Sequence, residues 1–350
     1  MSIAALARPE IRALAAYSSA RMEAGRAGVL LNANESPWPT AADLNRYPDP
    51  QPPELVAALA SLYAVAPDSV LVGRGSDEAI DLLVRAFCTA GRDAVATCPP
   101  TFGMYAVCAR IQAAAVVEVP LSPEFSVDLD ALSASIGANV KLVFLCSPNN
   151  PTGGCVPLAD IAALLTTLAG RALVVVDEAY LEFASVESAV GLLAAHDNLA
   201  VLRTLSKAHA LASARVGAVI ARPEVIALLR RIQAPYPLPQ PCIAAALGAL
   251  DPQARSATDA RIACLRRERK RVQAQLQALP KVRQVLPSAA NFLCVRFAQS
   301  AETYSALLRR GILVRDVSRQ PRLENCLRIT IGTPAENDRL LAALHAGDPA

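Results

Sequence analysis

The 350-residue chain has little charge of one sign, few aromatic residues and very little histidine. Its 34 basic and 31 acidic residues leave a formal net charge of only +3. A balance this even creates no strong one-signed field, so neither nucleic acid nor an anionic membrane surface is expected as a partner. Hydrophobic residues make up 53% of the chain and charged residues 19%, which excludes an intrinsically disordered protein.

Long hydrophobic runs are also missing. Residues 243–250 form an apolar run that stops at Asp251, well short of the ~20 residues that span a bilayer. Near the N-terminus, Arg8, Pro9 and Glu10 interrupt the chain before a signal peptide is complete. These features predict no transmembrane helix and a cytoplasmic protein.

The residue types that bind metals or form disulfide frameworks do not occur in the required patterns. His196, His209 and His345 are far apart and show no H-E-x-x-H spacing. The nine cysteines are odd in number, and no two stand in a C-x-x-C arrangement. We therefore expect no metal site and reduced thiols. Lysine is scarce as well, so chemistry that requires a lysine has only the candidates at positions 141, 207, 270 and 281.

Between about residues 70 and 221, short apolar runs alternate with helical patterns, which is typical of a mostly parallel sheet covered by helices. The runs are nearly all apolar, as expected for strands buried on both faces. The predicted strands cover residues 94–98, 115–119, 140–146, 172–176, 200–204 and 217–221.

A proline-rich segment, residues 233–242, marks the edge of this large unit, because proline continues neither a helix nor a central strand. A long helix around 259–279 and strands at 291–297, 313–315 and 326–331 are predicted beyond it. The predicted domains are an N-terminal arm that packs with the small domain (1–45), a large domain (46–240), and an interdomain helix with the small domain (241–350).

Two of the polar motifs follow apolar strands directly. Asp177 ends the run 173–177, and Tyr180 lies three residues later; ligands of open α/β sheets bind at this end of the strands. Lys207 follows another strand in the sequence TLSK, with Arg215 further along. Taken alone, Asp177 is also compatible with a helix cap and Lys207 with an exposed loop.

Two further motifs supply turns and a helix start. Asn150 lies in CSPNNPTG (146–153), where proline and glycine fix a tight turn after a strand. The sequence GRGSDE (73–78) begins a helix that runs to Phe87, and the free N–H groups at its start can bind a phosphate. The third glycine of a dinucleotide-binding fingerprint is absent. An ordinary turn and an ordinary helix start remain open for each motif alone.

Together the four motifs bring a phosphate cradle, an aspartate, an asparagine, a tyrosine and a lysine to one sheet edge. Pyridoxal 5′-phosphate (PLP) needs this combination. It requires a lysine for its Schiff base, a carboxylate that keeps the pyridine nitrogen protonated, and donors at its 3′-oxygen. The sequence therefore predicts PLP as the cofactor.

The order and spacing of the motifs resemble the fold type I PLP-dependent aminotransferases, and among these the histidinol-phosphate aminotransferases in particular. The resemblance covers the whole chain in one collinear order. It rests on LNANE (31–35), NRYPD (45–49), GRGSDE (73–78), CPPTFGMY (98–105), CSPNNPTG (146–153), VDEAY (176–180), RTLSKA (203–208) and CLRITIG (326–332). It implies an α/β fold in which a large domain with a mostly parallel seven-stranded sheet precedes a smaller α/β C-terminal domain.

The resemblance also implies a role for each cofactor-binding residue. Lys207 would form the Schiff base and move protons, Asp177 would pair with the pyridine nitrogen, and Tyr180 and Asn150 would hydrogen-bond the 3′-oxygen. Phe102 would stack on the ring, where the family usually has a tyrosine. The cofactor phosphate would be bound by Ser76, Asp77, Ser206 and Arg215, with Tyr47 contributed by a second subunit.

For the substrate, the resemblance implies an anion site and a cover. Arg328 aligns with the family's carboxylate-binding arginine, Arg315 with a second anion-binding arginine, and Tyr17 with a tyrosine that closes over the substrate. Asn150 would also contact the substrate. The chain departs from the family pattern at Ala16, at His209 and at residues 213–214, and none of these positions carries a catalytic group.

The implied activity is transamination of L-histidinol phosphate with 2-oxoglutarate, giving imidazole acetol phosphate and L-glutamate in histidine biosynthesis. A homodimer with shared active sites is expected. A threonine-phosphate decarboxylase and a broad aromatic aminotransferase are alternatives within the same superfamily. A non-catalytic PLP-binding regulator is an alternative of another class, and such regulators usually carry a separate DNA-binding domain.

Overall fold

The computed structural model describes residues 3–15, 29–39 and 44–345. Its larger unit is built on a seven-stranded sheet with the order β1-β7-β6-β5-β4-β2-β3. Strand β7 runs antiparallel to both of its neighbours, and the other pairs are parallel. The strands are β1 (Val70–Gly73), β2 (Ala94–Thr97), β3 (Ala115–Glu118), β4 (Val140–Cys146), β5 (Leu173–Asp177), β6 (Leu199–Thr204) and β7 (Gly217–Ala221).

Helices cover both faces of this sheet, so successive strand residues point into two different cores. Val174 and Val176 pack in one hydrophobic cluster, whereas Leu173 and Val175 pack in the other. Apart from the edge strand β3, nearly every strand residue is buried. The helices of this part of the chain are α1 (Pro9–Ala13), α2 (Pro53–Leu62), α3 (Gly75–Phe87), α4 (Met104–Ile111), α5 (Leu129–Ser135), α6 (Leu158–Thr167), α7 (Pro223–Arg230) and α8 (Gln240–Leu250).

The smaller unit has a four-stranded antiparallel sheet with the order β10-β11-β9-β8. The strands are β8 (Val282–Val285), β9 (Phe292–Phe297), β10 (Arg315–Asp316) and β11 (Cys326–Thr330). Helix α9 (Pro252–Gln277) leads into the unit, and α10 (Ser300–Arg309) and α11 (Pro334–His345) complete it. The Asp251 side chain caps α9 by accepting a hydrogen bond from the Gln253 N–H at 2.9 Å.

The predicted fold class is confirmed, and the six strands predicted for the large sheet occur within one or two residues of their expected bounds. The long helix begins earlier than predicted, at Pro252, because proline is well tolerated in the first turn of a helix. Strands β1 and β8 were not predicted. Strand β8 has the sequence VRQV with a partly exposed surface and lacks a hydrophobic pattern, whereas β1 has the apolar sequence VLVG, which was not recognised as a strand.

The described start of the N-terminal arm packs on the large unit, and not on the small unit as expected. Ile3 is fully buried in the same hydrophobic cluster as Leu83 of α3 and Leu229 of α7. The Arg8 N–H donates to the Ala86 carbonyl at 2.9 Å. The physical reason is that an apolar Ile3 side chain gains more by entering this existing core than by lying on a solvated surface. The exact domain boundaries stay a prediction.

The described parts of the chain also bear on membrane and metal binding. None of the helices in residues 3–15, 29–39 and 44–345 is long and apolar enough to cross a bilayer. Within the same residues, no three His, Cys, Asp or Glu side chains form a group that could hold a metal ion. All nine cysteines are free thiols, and most of them are buried.

The topology brings the polar motifs together. Strands β4, β5 and β6 are parallel, so Cys146, Asp177 and Thr204 end at the same edge of the sheet. Gly73 at the end of β1 and Thr204 at the end of β6 both pair with Gly217 at the start of β7. The N-terminus of α3, which follows β1, therefore opens at this same edge.

Candidate active site

One cavity lies at the carboxyl edge of the large sheet. Nine of the residues predicted to bind a cofactor line it, together with Cys146 at the end of β4, Ala179 after β5 and Thr204 at the end of β6. The lining consists of Ser76, Asp77, Phe102, Cys146, Asn150, Asp177, Ala179, Tyr180, Thr204, Ser206, Lys207 and Arg215.

Asp177 is a carboxylate at the end of a buried apolar strand, and only 2% of it is exposed. Its Oδ2 accepts a hydrogen bond from the Tyr105 hydroxyl at 2.8 Å, and its Oδ1 accepts one from the Ala179 N–H at 3.1 Å. Burial raises the pKa of Asp177 to about 6, against the lowering effect of these two donors. A cation placed in the cavity beside Asp177 would stabilise its charged form.

The backbone that follows Asp177 is fixed by a buried ion pair. Arg203 Nη1 lies 2.7 Å from Glu178 Oε2, and Arg203 Nη2 lies 2.8 Å from Glu182 Oε1. Glu178 also accepts hydrogen bonds from the Ser188 hydroxyl and the Ala189 N–H. This network, in which Arg203 Nε and Glu182 Oε2 lack hydrogen-bond partners among the described residues, holds the segment between Asp177 and Tyr180 in place.

Lys207 enters the cavity from the loop after β6. Its Nζ lies 5.5 Å from the centre of the Tyr180 ring. Loss of hydration inside the cavity, and then the positive charge of Arg328, lower the pKa of Lys207. A lysine with a lowered pKa has more of the neutral amine that a nucleophile or a general base requires.

An anion cradle forms where α3 begins. The first N–H groups of α3, at Ser76 and Asp77, have no carbonyl partner inside the helix and point towards the cavity end of the sheet. Arg215 Nη2 lies 3.0 Å from Asp77 Oδ2, and its Nη1 lies 3.4 Å from Ser206 Oγ. Both a helix N-terminus and a guanidinium therefore face one spot, which suits a phosphate.

Two glycines allow this close assembly. A Cβ at Gly217 would lie 2.6 Å from the Gly75 carbonyl carbon and the Ser76 nitrogen, which are backbone atoms that cannot move aside cheaply. Gly75 itself has a φ of +78°, in the region that favours glycine. The start of β7 is thus packed directly against the start of α3.

A chain of hydrogen bonds joins the small unit to the cavity. Arg328 of β11 donates from Nη1 to Asn150 Oδ1, and Asn150 Nδ2 donates to the Tyr180 hydroxyl oxygen at 3.3 Å. The Arg328 guanidinium lies 5.4 Å from the centre of the Phe292 ring, and that ring meets Tyr180 edge-on at 5.2 Å. Arg328 is therefore held at the cavity by both units.

Arg315 lies directly opposite Arg328 in the antiparallel pair of β10 and β11. Cross-strand neighbours of this kind share a face of the sheet, and two like charges opposite each other destabilise the pair. Arg315 is exposed, so its guanidinium is accessible from solvent. Two arginines opposite each other in this way are an arrangement that an anion would stabilise.

Of the predicted site residues that the structure describes, Tyr47, Arg315 and Arg328 are not among those that line the cavity. Tyr47 stacks on Tyr236, with ring centres 4.3 Å apart and planes 11° from parallel, and 48% of it is exposed. Its predicted role depends on a second subunit, which a single chain does not test. Tyr17 lies outside the described residues.

Tyr105 and Phe292 touch the site and were not assigned roles from the sequence. Tyr105 lies in the quoted segment CPPTFGMY, three residues after Phe102, so both occupy one side of the start of α4. A buried tyrosine hydroxyl needs a partner, but the burial of Tyr105 is a property of the folded chain and gave no signal in the sequence. Phe292 begins β9 and carries no local signal beyond its apolar character.

The residues present fit PLP. The buried Asp177 suits a protonated pyridine nitrogen, the cradle at Ser76 and Asp77 suits a phosphate, and Phe102 offers a ring face at the cavity wall. Lys207, with its lowered pKa, is within the same cavity. The pieces that the cofactor requires are therefore present in one place.

The chain belongs to the aminotransferase class I and II family, whose match covers residues 32–344. It is 56% identical over 351 residues to a histidinol-phosphate aminotransferase of Xanthomonas campestris pv. campestris, covering 98% of this chain and 97% of that protein. Among solved structures it resembles histidinol-phosphate aminotransferase from Sinorhizobium meliloti in complex with pyridoxal-5′-phosphate, with 29% identity, a TM-score of 0.76, and coverage of 96% of this chain and 95% of that one.

A structure of L-threonine-O-3-phosphate decarboxylase from Porphyromonas gingivalis shares the fold. It has a TM-score of 0.73 at 24% identity and covers 86% of this chain and 90% of its own. At this identity the likeness concerns the fold alone. The architecture by itself therefore does not separate the two activities, and the substrate side of the cavity must do so.

The raised pKa of Asp177 gives a prediction for stability. The folded protein holds the Asp177 proton more tightly than the unfolded chain, whose pKa is near 3.8. Ionisation of Asp177 therefore lowers the free energy of unfolding as the pH rises from about 4 to about 6, and this loss stays constant at higher pH. We expect Asp177→Asn to raise the free energy of unfolding of the cofactor-free protein by up to ~3 kcal/mol at about pH 8 and to give no gain at about pH 4.

Urea denaturation at the two pH values measures this difference. Asp128→Asn is the matched control, because Asp128 caps α5 through an oxygen that asparagine retains. A stability change of Asp177→Asn that is the same at both pH values would contradict a burial cost of the charged carboxylate.

Proposed function

We propose that the protein transfers the amino group of L-histidinol phosphate to 2-oxoglutarate with PLP as its cofactor, which places it in histidine biosynthesis. The observation that carries this proposal is the cavity that contains Lys207 and Asp177, together with Arg328, which donates to the cavity residue Asn150 and lies opposite Arg315. The 56% identity to a histidinol-phosphate aminotransferase supports the choice of substrate.

When bound, PLP supplies an electron sink for the bonds at the substrate Cα. Lys207 would hold the cofactor covalently through Nζ. Once the substrate amine has displaced it, the freed Nζ would move the proton from Cα to the adjacent cofactor carbon. The lowered pKa of Lys207 suits both steps, because the amine must be neutral to accept a proton.

The other side chains hold the reacting groups in place. Asp177 pairs with the pyridine nitrogen and keeps it protonated, while Phe102 packs against the ring. Tyr180 and Asn150 hydrogen-bond the 3′-oxygen of the cofactor. Burial raises the pKa of Tyr180, so its hydroxyl stays a donor at physiological pH. The phosphate is bound by the backbone N–H groups of Ser76 and Asp77, the Ser206 hydroxyl and Arg215.

The arginine pair explains how one site accepts two different substrates. Histidinol phosphate carries a phosphate and no carboxylate, whereas glutamate carries two carboxylates. Planar guanidinium groups bind both kinds of anion through paired N–H donors. Arg328 and Arg315 therefore serve both half-reactions, with Asn150 beside Arg328. Tyr17 closes over the substrate.

The proposed active form is a homodimer with shared sites, in which Tyr47 of one subunit reaches the phosphate in its partner. Large hydrophobic side chains near Tyr47 are open to solvent in the single chain. Val29 is 87% exposed, Leu31 85% and Trp38 77%, which is unusual for a chain that works alone. We also propose a cytoplasmic location, the compartment expected for biosynthesis from small phosphorylated metabolites.

The first prediction of this proposed function concerns the half-reaction with L-histidinol phosphate. With PLP bound, addition of L-histidinol phosphate without a keto acid should remove the visible band of the lysine-bound cofactor and produce the absorbance of pyridoxamine phosphate. Lys207→Ala should abolish this change, with a loss of turnover of at least about 10³-fold, because the group that moves the proton is gone.

Parallel additions separate the alternatives. Carbon dioxide release from threonine phosphate would indicate the decarboxylase instead. An equal spectral change with phenylalanine would indicate a broad aromatic aminotransferase. A protein that shows no visible band with PLP would contradict the assignment of Lys207.

The second prediction concerns the anion site. Arg315→Gln removes one guanidinium while keeping a long polar side chain, so KM for histidinol phosphate should rise by about 10–100-fold. Arg319→Gln, a nearby exposed arginine outside the β10–β11 pair, is the control and should leave KM unchanged. Steady-state kinetics at fixed 2-oxoglutarate measure both, and equal KM values for parent and Arg315→Gln would remove Arg315 from the site.

The third prediction concerns shared sites. Tyr47→Ala and Lys207→Ala chains should each have low activity alone. When they are mixed and allowed to exchange subunits, about a quarter of all sites should combine an intact Lys207 with an intact Tyr47 from the partner. Light scattering gives the mass of the assembly, and a mixture no more active than its components would contradict sharing.

A further inference from the structure

Tyr105 is a fully buried tyrosine that lies behind the wall of the cavity. It belongs to α4, and none of its surface is exposed. A hydroxyl removed from water in this way requires a hydrogen-bond partner, since an unpaired one is costly. Its partner is Asp177 Oδ2, at 2.8 Å. The contact joins two residues 72 positions apart in the chain.

The ring of Tyr105 is held on two sides. It stacks on Phe144 of β4, with centres 4.7 Å apart and planes 7° from parallel. It meets Phe102 edge-on at 5.6 Å. Because both neighbours are aromatic and Phe144 is buried, the ring has little freedom to turn its hydroxyl away from Asp177.

The Tyr105 hydroxyl and the Ala179 N–H each bind a different oxygen of Asp177. Two donors on two oxygens fix the plane of a carboxylate, and this carboxylate belongs to a residue that lines the cavity. The proton of Tyr105 is always available, because burial raises the pKa of this hydroxyl well above its ordinary value. The other titratable groups that act on Asp177 are Asp77, Cys146, Glu178, Tyr180 and Lys207.

We propose that Tyr105 is a positioning residue for the cofactor, which orients the Asp177 carboxylate and keeps it ionised so that it binds the protonated pyridine nitrogen of PLP. The proposal rests on the PLP chemistry proposed above. It assigns the role to a residue that touches neither substrate nor cofactor. Through Phe102, the same residue also supports the ring face on which the pyridine would stack.

The effect of removing the hydroxyl follows from electrostatics. Burial has already raised the pKa of Asp177 to about 6, and the Tyr105 hydrogen bond acts in the opposite direction. Without that bond the pKa of Asp177 rises further towards neutrality. A larger share of Asp177 is then protonated at a given pH and cannot pair with a pyridinium.

Tyr105→Phe is the decisive variant, since it removes the hydroxyl and keeps both ring contacts. Equilibrium dialysis of the cofactor-free protein against PLP, between about pH 5 and pH 9, measures the dissociation constant. We expect PLP to bind about tenfold more weakly near neutral pH. The acid limb, where binding fails as Asp177 takes up a proton, should move to higher pH.

Tyr63→Phe is the matched control. It also removes a buried hydroxyl from the large unit, but its ring faces Arg203 at 4.8 Å and does not contact Asp177. It should lower the thermal midpoint by an amount comparable to that of Tyr105→Phe and leave the acid limb where it is in the parent. This comparison separates a positioning role from a purely structural one.

A double-mutant cycle gives a second test that does not depend on the pH profile. In an Asp177→Asn background, Tyr105→Phe should weaken PLP binding no further, because the group it positions is already neutral. Equal weakening in both backgrounds, or an acid limb that does not move in Tyr105→Phe, would overturn the proposal. A parent protein that binds no PLP at any pH would instead contradict the proposed function itself.

Discussion

The site depends on keeping one carboxylate charged where burial opposes charge. Asp177 ends an apolar strand inside the protein, and its position is set by the hydrogen-bonded register of β5 with β4 and β6. Water cannot stabilise its charge there, so protein donors must do so. Tyr105 and the Ala179 N–H supply part of that stabilisation, and in the proposed function a cationic ring nitrogen supplies the rest. Part of the affinity for the cofactor therefore comes from relieving the free-energy cost of the buried Asp177 charge.

The sequence predicts the parts of the fold that follow a local pattern. Buried parallel strands are short runs of nearly all apolar residues, so strands such as β4 and β5 are found with close to their true bounds. The polar β8 lacks that signal, whereas the four-residue apolar β1 carries it and was missed. Ile3 lies in a core of the large unit. Which core has room for this side chain is determined by the folded structure, and the N-terminal sequence does not show it.

The same distinction applies to the site. Lys207, Asp177 and Asn150 are recognisable because each follows a strand in a fixed order, and parallel strands bring such positions to one edge. The role of Tyr105 depends on a contact between α4 and the end of β5 that no spacing in the sequence encodes. Likewise, the opposition of Arg315 and Arg328 follows from strand register, which the two motifs do not reveal separately.

The amide of Asn150 gives the hydrogen bonds around it a direction. Its oxygen is taken by Arg328 and its nitrogen donates to the Tyr180 oxygen, so every donor along this path points from the small unit towards the cavity. The Tyr180 oxygen accepts the hydrogen bond from Asn150, so the Tyr180 hydroxyl still has its own proton to donate. That proton is free to be donated to an oxygen in the cavity. A charged guanidinium on β11 thereby polarises, through one amide, the hydroxyl that a bound cofactor would meet.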